Sequence, residues 1–134
     1  LSAALEDLNR AIALDPTSSL AFNLRGYIRL AANDYRGAME DCNQAIALDP
    51  KNALAYSDRG FTWLMLGEAR KAYQDATEAI RLDPSLTSAY TARAMAAEAQ
   101  GNFQGAIADY EVVTQNLERN GQRNSRTYQN AVNE

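Results

Sequence analysis

Apolar residues spaced three and four apart recur along the chain in seven blocks, each bounded by polar or turn-forming residues. They predict amphipathic helices over 2–14, 20–31, 35–48, 54–66, 69–82, 89–99 and 103–117. Asn33, Gly67 and Gly101 fall where the second, fourth and sixth of these must stop, and both residue types tolerate the left-handed backbone that ends a helix. Asp34, Glu68 and Asn102 follow at once and open the next helix. There Asp and Asn can cap free amides, and an acid suits the positive end of the helix dipole. The pattern is that of an all-α chain of helix pairs joined by tight turns.

The pairs are copies. Pro16, Pro50 and Pro84 stand 34 residues apart, each inside a near-identical tetrapeptide: Ala13-Leu14-Asp15-Pro16, Ala47-Leu48-Asp49-Pro50 and Arg81-Leu82-Asp83-Pro84. A fixed period of that size means a repeat protein. The chain divides without gaps into a half unit at 1–18, full units at 19–52, 53–86 and 87–120, and a remainder at 121–134. In register, Phe22, Tyr56 and Tyr90 form one column, and Gly26, Gly60 and Ala94 a second. Ala38, Ala72 and Ala106 form a third, and Ala45, Ala79 and Val113 a fourth. Glycine facing alanine across a helix pair lets the backbones approach closely, and a larger side chain is expected to wedge them apart. One pair cannot bury both its faces alone, so the units stack into a superhelix with one concave side.

The order Phe22, Gly26, Ala38, Pro50, repeated as Tyr56, Gly60, Ala72, Pro84, resembles the tetratricopeptide repeat. The third unit departs from it with Ala94 in place of the glycine and Glu118 in place of the proline, which implies looser packing there and a second helix that runs on. The half unit fits as a second helix alone, with Ala4, Leu8, Ala11 and Pro16, and a start in mid-repeat with Leu rather than Met suggests a piece of something longer. The resemblance implies a right-handed superhelical solenoid of antiparallel helix pairs and a role in protein–protein interaction. It also assigns the concave surface to the first helix of each unit. The first unit supplies Leu20, Asn23, Leu24, Tyr27, Leu30 and Ala31; the second supplies Leu54, Ser57, Asp58, Phe61, Leu64 and Met65. The third supplies Ser88, Thr91, Ala92, Met95, Glu98 and Ala99 and is the most polar. Solvent-facing Leu, Tyr, Phe and Met mark an interaction strip, with Tyr27, Phe61 and Met95 at its centre, while Leu30 and Leu64 fit an inward orientation equally well. Met65 and Met95 would let the strip adapt to more than one ligand.

Composition narrows the chemistry. The 134 residues carry no histidine and one cysteine, Cys42, so serine and cysteine triads, His/Cys zinc sites, histidine-ligated haem and an internal disulfide each lack an obligatory member. No nucleophile, base and oxyanion donor assemble, and no cofactor is implied. The formal charge is −4, and the eleven arginines and two lysines form no basic run, which argues against a nucleic-acid partner. The longest uncharged stretch, Ala99 to Ala108, holds Gly101, Asn102 and Gln104 and cannot span a bilayer of ~30 Å. No signal-peptide pattern opens the sequence; the compartment is unknown, with a soluble, cytoplasmic setting slightly favoured.

Charged residues are periodic too. Arg25, Arg59 and Arg93 share one register, and Asp7, Asp41, Asp75 and Asp109 another, so that each Arg follows one Asp by 18 residues and precedes the next by 16. A matching acid beside every Arg reads as a structural ion-pair ladder rather than a ligand-binding basic strip, since an unpaired charge in a helix interface is costly. Cys42 reads as a small buried hydrophobe, and Trp63 and Tyr35 as structural residues at family core sites. Arg29 occupies the site matching Trp63, its stem packed and its head reaching an edge or an Asp.

Relatives that grip the acidic C-terminus of heat-shock chaperones do so with Lys, Arg and Asn at groove sites. Here those sites hold Asn23, Tyr27, Asp58, Ser88 and Ala92, a set without Lys or Arg, so a carboxylate clamp is not expected. An apolar or amphipathic segment suits the groove better. Past Asn120-Gly121, which reads as a stop, Tyr128, Ala131 and Val132 share one helical face; the remainder is either a short capping helix or a tail. Leu1, Leu5 and Leu8 lie on an edge of the half unit that can pair with another copy. An interaction scaffold is the leading expectation, beside end-to-end self-assembly and a regulatory or docking arm of a larger protein.

Overall fold

The computed structural model describes residues 2–133. They form α1 (Ser2–Leu14), α2 (Ser19–Ala31), α3 (Tyr35–Leu48), α4 (Ala53–Met65), α5 (Ala69–Leu82), α6 (Thr87–Ala99) and α7 (Phe103–Asn133). No strand occurs among the described residues. The turns inside each unit are built alike. Asn33, Gly67 and Gly101 have φ of 64°, 79° and 80°, and the next residue's N–H returns to a carbonyl of the preceding helix: Asp34 to Arg29 at 2.8 Å, Glu68 to Trp63 at 2.9 Å and Asn102 to Ala97 at 2.8 Å. This left-handed closure satisfies helix-end carbonyls and reverses the chain. Asp34 and Asn102 then cap the following helix through Gly37 N and Gly105 N, each at 3.0 Å, whereas Glu68 makes no side-chain cap. Between units, the aspartate before each proline accepts a backbone N–H two residues on: Asp15 from Thr17, Asp49 from Lys51 and Asp83 from Ser85. The recurrent Leu-Asp-Pro is therefore a side-chain-closed turn.

Helices pair as α2 with α3, α4 with α5 and α6 with α7. The first helices also touch one another, α2 against α4 and α4 against α6, while the second helices of neighbouring units stand apart. Close spacing on one side and splay on the other curve the stack, which makes the layer of first helices the inner one. The result is an all-α tetratricopeptide-like solenoid.

Its interior is made of small residues. Apart from Cys42, every buried apolar residue among those described is an alanine, and the largest fully buried side chains are Thr62, Cys42 and Ser57. A methyl group at Gly26 would lie 3.1 Å from Asp41 Cβ, tighter than ordinary contact, so Asp41 would have to give by a few tenths of an ångström. At Gly60 the nearest atom to such a group is the Ala72 carbonyl at 3.4 Å, which is ordinary contact, and Ala94 fills the same register fully buried. For a single methyl group, the expected wedging of the helices therefore arises at the first column member and not at the other two.

Two ends of the chain differ from expectation. The stop read at Asn120-Gly121 does not occur: α7 runs unbroken to Asn133, so the remainder is neither a separate capping helix nor a tail. Glycine inside an exposed helix costs only about 1 kcal/mol, and with no proline and no competing contact nothing ends the hydrogen-bond ladder. Residues 117–133 are exposed throughout. At the other end α1 packs on α2 without burying any residue, Leu5 and Leu8 are half-buried, and Leu1 lies outside the described residues.

Candidate functional site

The periodic arginines occupy the interior of the helix pairs. Arg25 grips Asp41 through Nε and Nη2 at 2.9 and 2.8 Å, Arg59 grips Asp75 at 2.7 and 2.8 Å, and Arg93 grips Asp109 at 2.8 Å through both atoms. The planar guanidinium matches a carboxylate's two oxygens, which is why Arg and not Lys stands here. Each also lies over the aromatic ring one turn earlier, Phe22, Tyr56 or Tyr90, at 5.3 to 5.9 Å. Carboxylate pairing pushes all three guanidinium pKa values up.

The link between units differs from the reading of the sequence. Each Arg pairs with the Asp of its own unit, and the next contact backward is an asparagine: Arg25 donates to Asn9 at 2.9 Å and Arg59 to Asn43 at 3.0 Å. Asp7 is exposed and is not the ladder's first rung. An arginine gripping one carboxylate through Nε and Nη2 still has the Nη1 protons to place, and a neutral amide accepts one of them. Asn9 and Asn43 share the 34-residue register, so their spacing was the available signal; Thr77 stands in that register opposite Arg93. Arg29 also donates to Asp41, at 2.9 Å.

On the inner layer, Asn23, Leu24, Tyr27, Leu30, Asn33, Tyr35, Leu54, Asp58, Phe61, Met65 and Ser88 surround a pocket of about 510 Å³ between the first two full units. Leu24, Tyr27, Leu54 and Met65 are 43%, 58%, 42% and 47% exposed, and Phe61 and Leu30 are half-buried. Tyr35 joins this wall although its position in the sequence reads as core, and its hydroxyl donates to Asn33 Oδ1 at 3.1 Å.

Several residues assigned to the groove lie beneath it. Asn23, Ser57, Asp58 and Ala92 are all buried, because successive first helices pack on that flank. Asn23 Nδ2 donates to Asp58 Oδ2 at 2.8 Å, joining α2 to α4, and the hydroxyls of Ser57 and Ser88 are 3.0 Å apart, joining α4 to α6. Burial pushes the Asp58 carboxyl up to about 6, against the lowering effect of the Asn23 bond. The Cys42 thiol, shielded nearby on α3, is pushed up to about 12 by burial.

The third unit adds only Ser88 to the pocket. Thr91 and Met95 are half-buried away from it, and exposed Glu98 turns to α7, where it accepts the Tyr110 hydroxyl at 3.2 Å. Leu20 is exposed outside the pocket, and Leu64 is half-buried and takes no part in its lining. No helix among the described residues is long and apolar enough to cross a membrane.

Comparison with known proteins agrees with this architecture. A TPR repeat family model matches residues 26–67, and a tetratricopeptide repeat model matches 66–120. No curated protein matches the sequence. Among solved structures, MamA superposes with a TM-score of 0.74 at 25% identity over 88% of this chain and 69% of that one. The second TPR of Spaghetti (RPAP3), bound to the HSP90 peptide SRMEEVD, superposes with a TM-score of 0.69 at 30% identity, over 72% of this chain and 90% of that one. The first TPR domain of human RPAP3 gives 0.71 at 26% identity, over 75% of this chain and 80% of that one. By period, turn chemistry, helix pairing and these matches, the chain belongs to the tetratricopeptide-repeat family.

Proposed function

We propose that this chain, a protein-interaction scaffold by family, holds an apolar or amphipathic peptide segment in the pocket between its first two full units. The observation that carries the reading is the set of large apolar side chains left in solvent around one concavity: Leu24, Tyr27, Leu54 and Met65, with Phe61 at its wall. Covering the exposed part of each is worth about 1 kcal/mol, roughly half the value for burying a whole side chain, and nothing among the described residues covers them. The peptide bound to the RPAP3 domain, SRMEEVD, carries acidic residues, whereas the pocket here is lined by one acid and no Lys or Arg. A carboxylate clamp is therefore not the mode we propose.

Selection from a random-peptide display library tests the reading, with wild type compared against a Tyr27→Ala, Phe61→Ala double variant of verified cooperative melting. Enrichment of apolar or amphipathic peptides by wild type alone is the expected result. Enrichment of the same peptides by both proteins would place binding elsewhere. Self-assembly is favoured by a different observation, the uncovered outer face of α7 with Ile107 and Leu117 at 57% and 60% exposure. Light scattering across a dilution series reads it directly.

A further inference from the structure

The pocket's charge is one-sided. Asp58 is the sole ionisable acid in its lining, no Lys or Arg joins it, and the arginines of the same helices point the other way into the pairs with Asp41 and Asp75. One Asp58 oxygen is occupied by Asn23. The other, Oδ1, has no donor from the chain among the described residues, yet no buried side-chain oxygen goes unpartnered, so Oδ1 opens to the pocket. The residue is only 5% exposed. A carboxylate so placed is stripped of most of its water without gaining a cation, a costly arrangement unless the pairing charge comes from outside.

Resting on the binding mode proposed above, we infer that the peptide segment recognised by this groove carries a lysine or arginine whose head group seats on Asp58. The apolar stem of such a side chain lies along Leu24 and Leu54, and the Tyr27 and Phe61 rings line the same pocket within reach of a cation. Asn23 and Ser88 complete a polar floor. The raised carboxyl of Asp58 agrees with this, because a cation in the pocket would lower it again. The other titratable groups around it are the phenols of Tyr27 on α2 and Tyr35 on α3 and the thiol of Cys42 on α3; Ser88, from α6, carries no charge.

The experiment is the same library selected on wild type and on Asp58→Asn near pH 7.5, followed by titration of an enriched peptide. Wild type should fix Lys or Arg at one position among apolar ones, and Asp58→Asn should keep the apolar positions and lose the basic one. Replacing that Lys or Arg by norleucine should weaken binding about tenfold in wild type and less than about threefold in the variant. Lowering the pH from about 7.5 to about 5 should weaken wild-type binding roughly tenfold, because Asp58 must give up its proton, and should leave the variant unchanged. Calorimetry near pH 6 should show protons released on binding; uptake would mean that an apolar group covers the acid. Apolar enrichment without a fixed basic position, or with an acidic one, overturns this inference and leaves the groove reading intact. Enrichment of nothing overturns both.

Discussion

Asp58→Asn isolates the energetic consequence of burying a carboxylate at the pocket floor. Asparagine keeps the shape, and its carbonyl oxygen can still accept the Asn23 amide, but it never carries charge. The folded-state pKa of Asp58 stands at about 6 against an ordinary 3.8, a rise of about two units. At 1.36 kcal/mol per unit, ionised Asp58 destabilises the fold by up to about 3 kcal/mol at neutral pH. The sign follows from proton binding. The folded state holds this proton more tightly than the unfolded one, so the contribution is fully favourable below about pH 4 and is lost as pH rises through about 6. Wild type and Asp58→Asn should therefore match near pH 4, and the variant should be more stable near pH 7.5 by about 2 to 3 kcal/mol. Urea unfolding followed by far-ultraviolet circular dichroism and Trp63 fluorescence at about pH 4, 5, 6 and 7.5 measures this. The difference between the two proteins cancels the other carboxylates, including those held by arginine. A stability gap that does not change with pH, or a variant weaker than wild type near neutrality, would refute the argument.

Three further outcomes follow from the packing. Asp75→Ala leaves Arg59 half-buried with only Asn43 and the Tyr56 ring, and should cost about 2 kcal/mol of stability, whereas Arg59→Leu should leave groove binding intact. Melting and peptide titration on both variants would contradict this by giving the reverse pattern. Gly60→Ala should hold or gain about 0.5 to 1 kcal/mol through helix propensity, while Gly26→Ala should lose about 1 kcal/mol against Asp41, which two arginines hold in place; opposite ordering in thermal melts would sink the contact argument. Ending the chain at Asn120 should reduce helical ellipticity but shift stability by no more than about 0.5 kcal/mol, since residues 121–133 are all solvent-exposed. A large drop in the urea midpoint would show that the extension packs on the repeats.

Period and turn chemistry made the helices readable to within two residues up to Phe103, because Asn33, Gly67, Gly101 and the three prolines act locally. The continuation of α7 was not readable from Asn120-Gly121, since a stop signal works only when something else competes for the backbone. At the candidate site the exposed apolar residues were legible and the buried polar ones were not. Asn23 meets Asp58 across 35 residues, one repeat and one position, and that offset depends on how α2 leans on α4. The asparagines that bridge units share the period, yet small polar residues attract less notice than the aspartates two positions before them.

A solenoid whose shielded interior is alanine adds a second kind of fragile site to the usual map of mutational tolerance. In most folds the large core residues are the fragile ones, because deleting them leaves cavities. Here the large residues form a partly shielded layer around that interior, and enlargement meets the least room at its smallest members: Ala38, Ala45, Ala72 and Ala79 are shielded completely. Drift in such a protein is free to rewrite the big residues that face the groove and is held back at the smallest ones, so binding preference can diverge quickly on a frame that hardly changes.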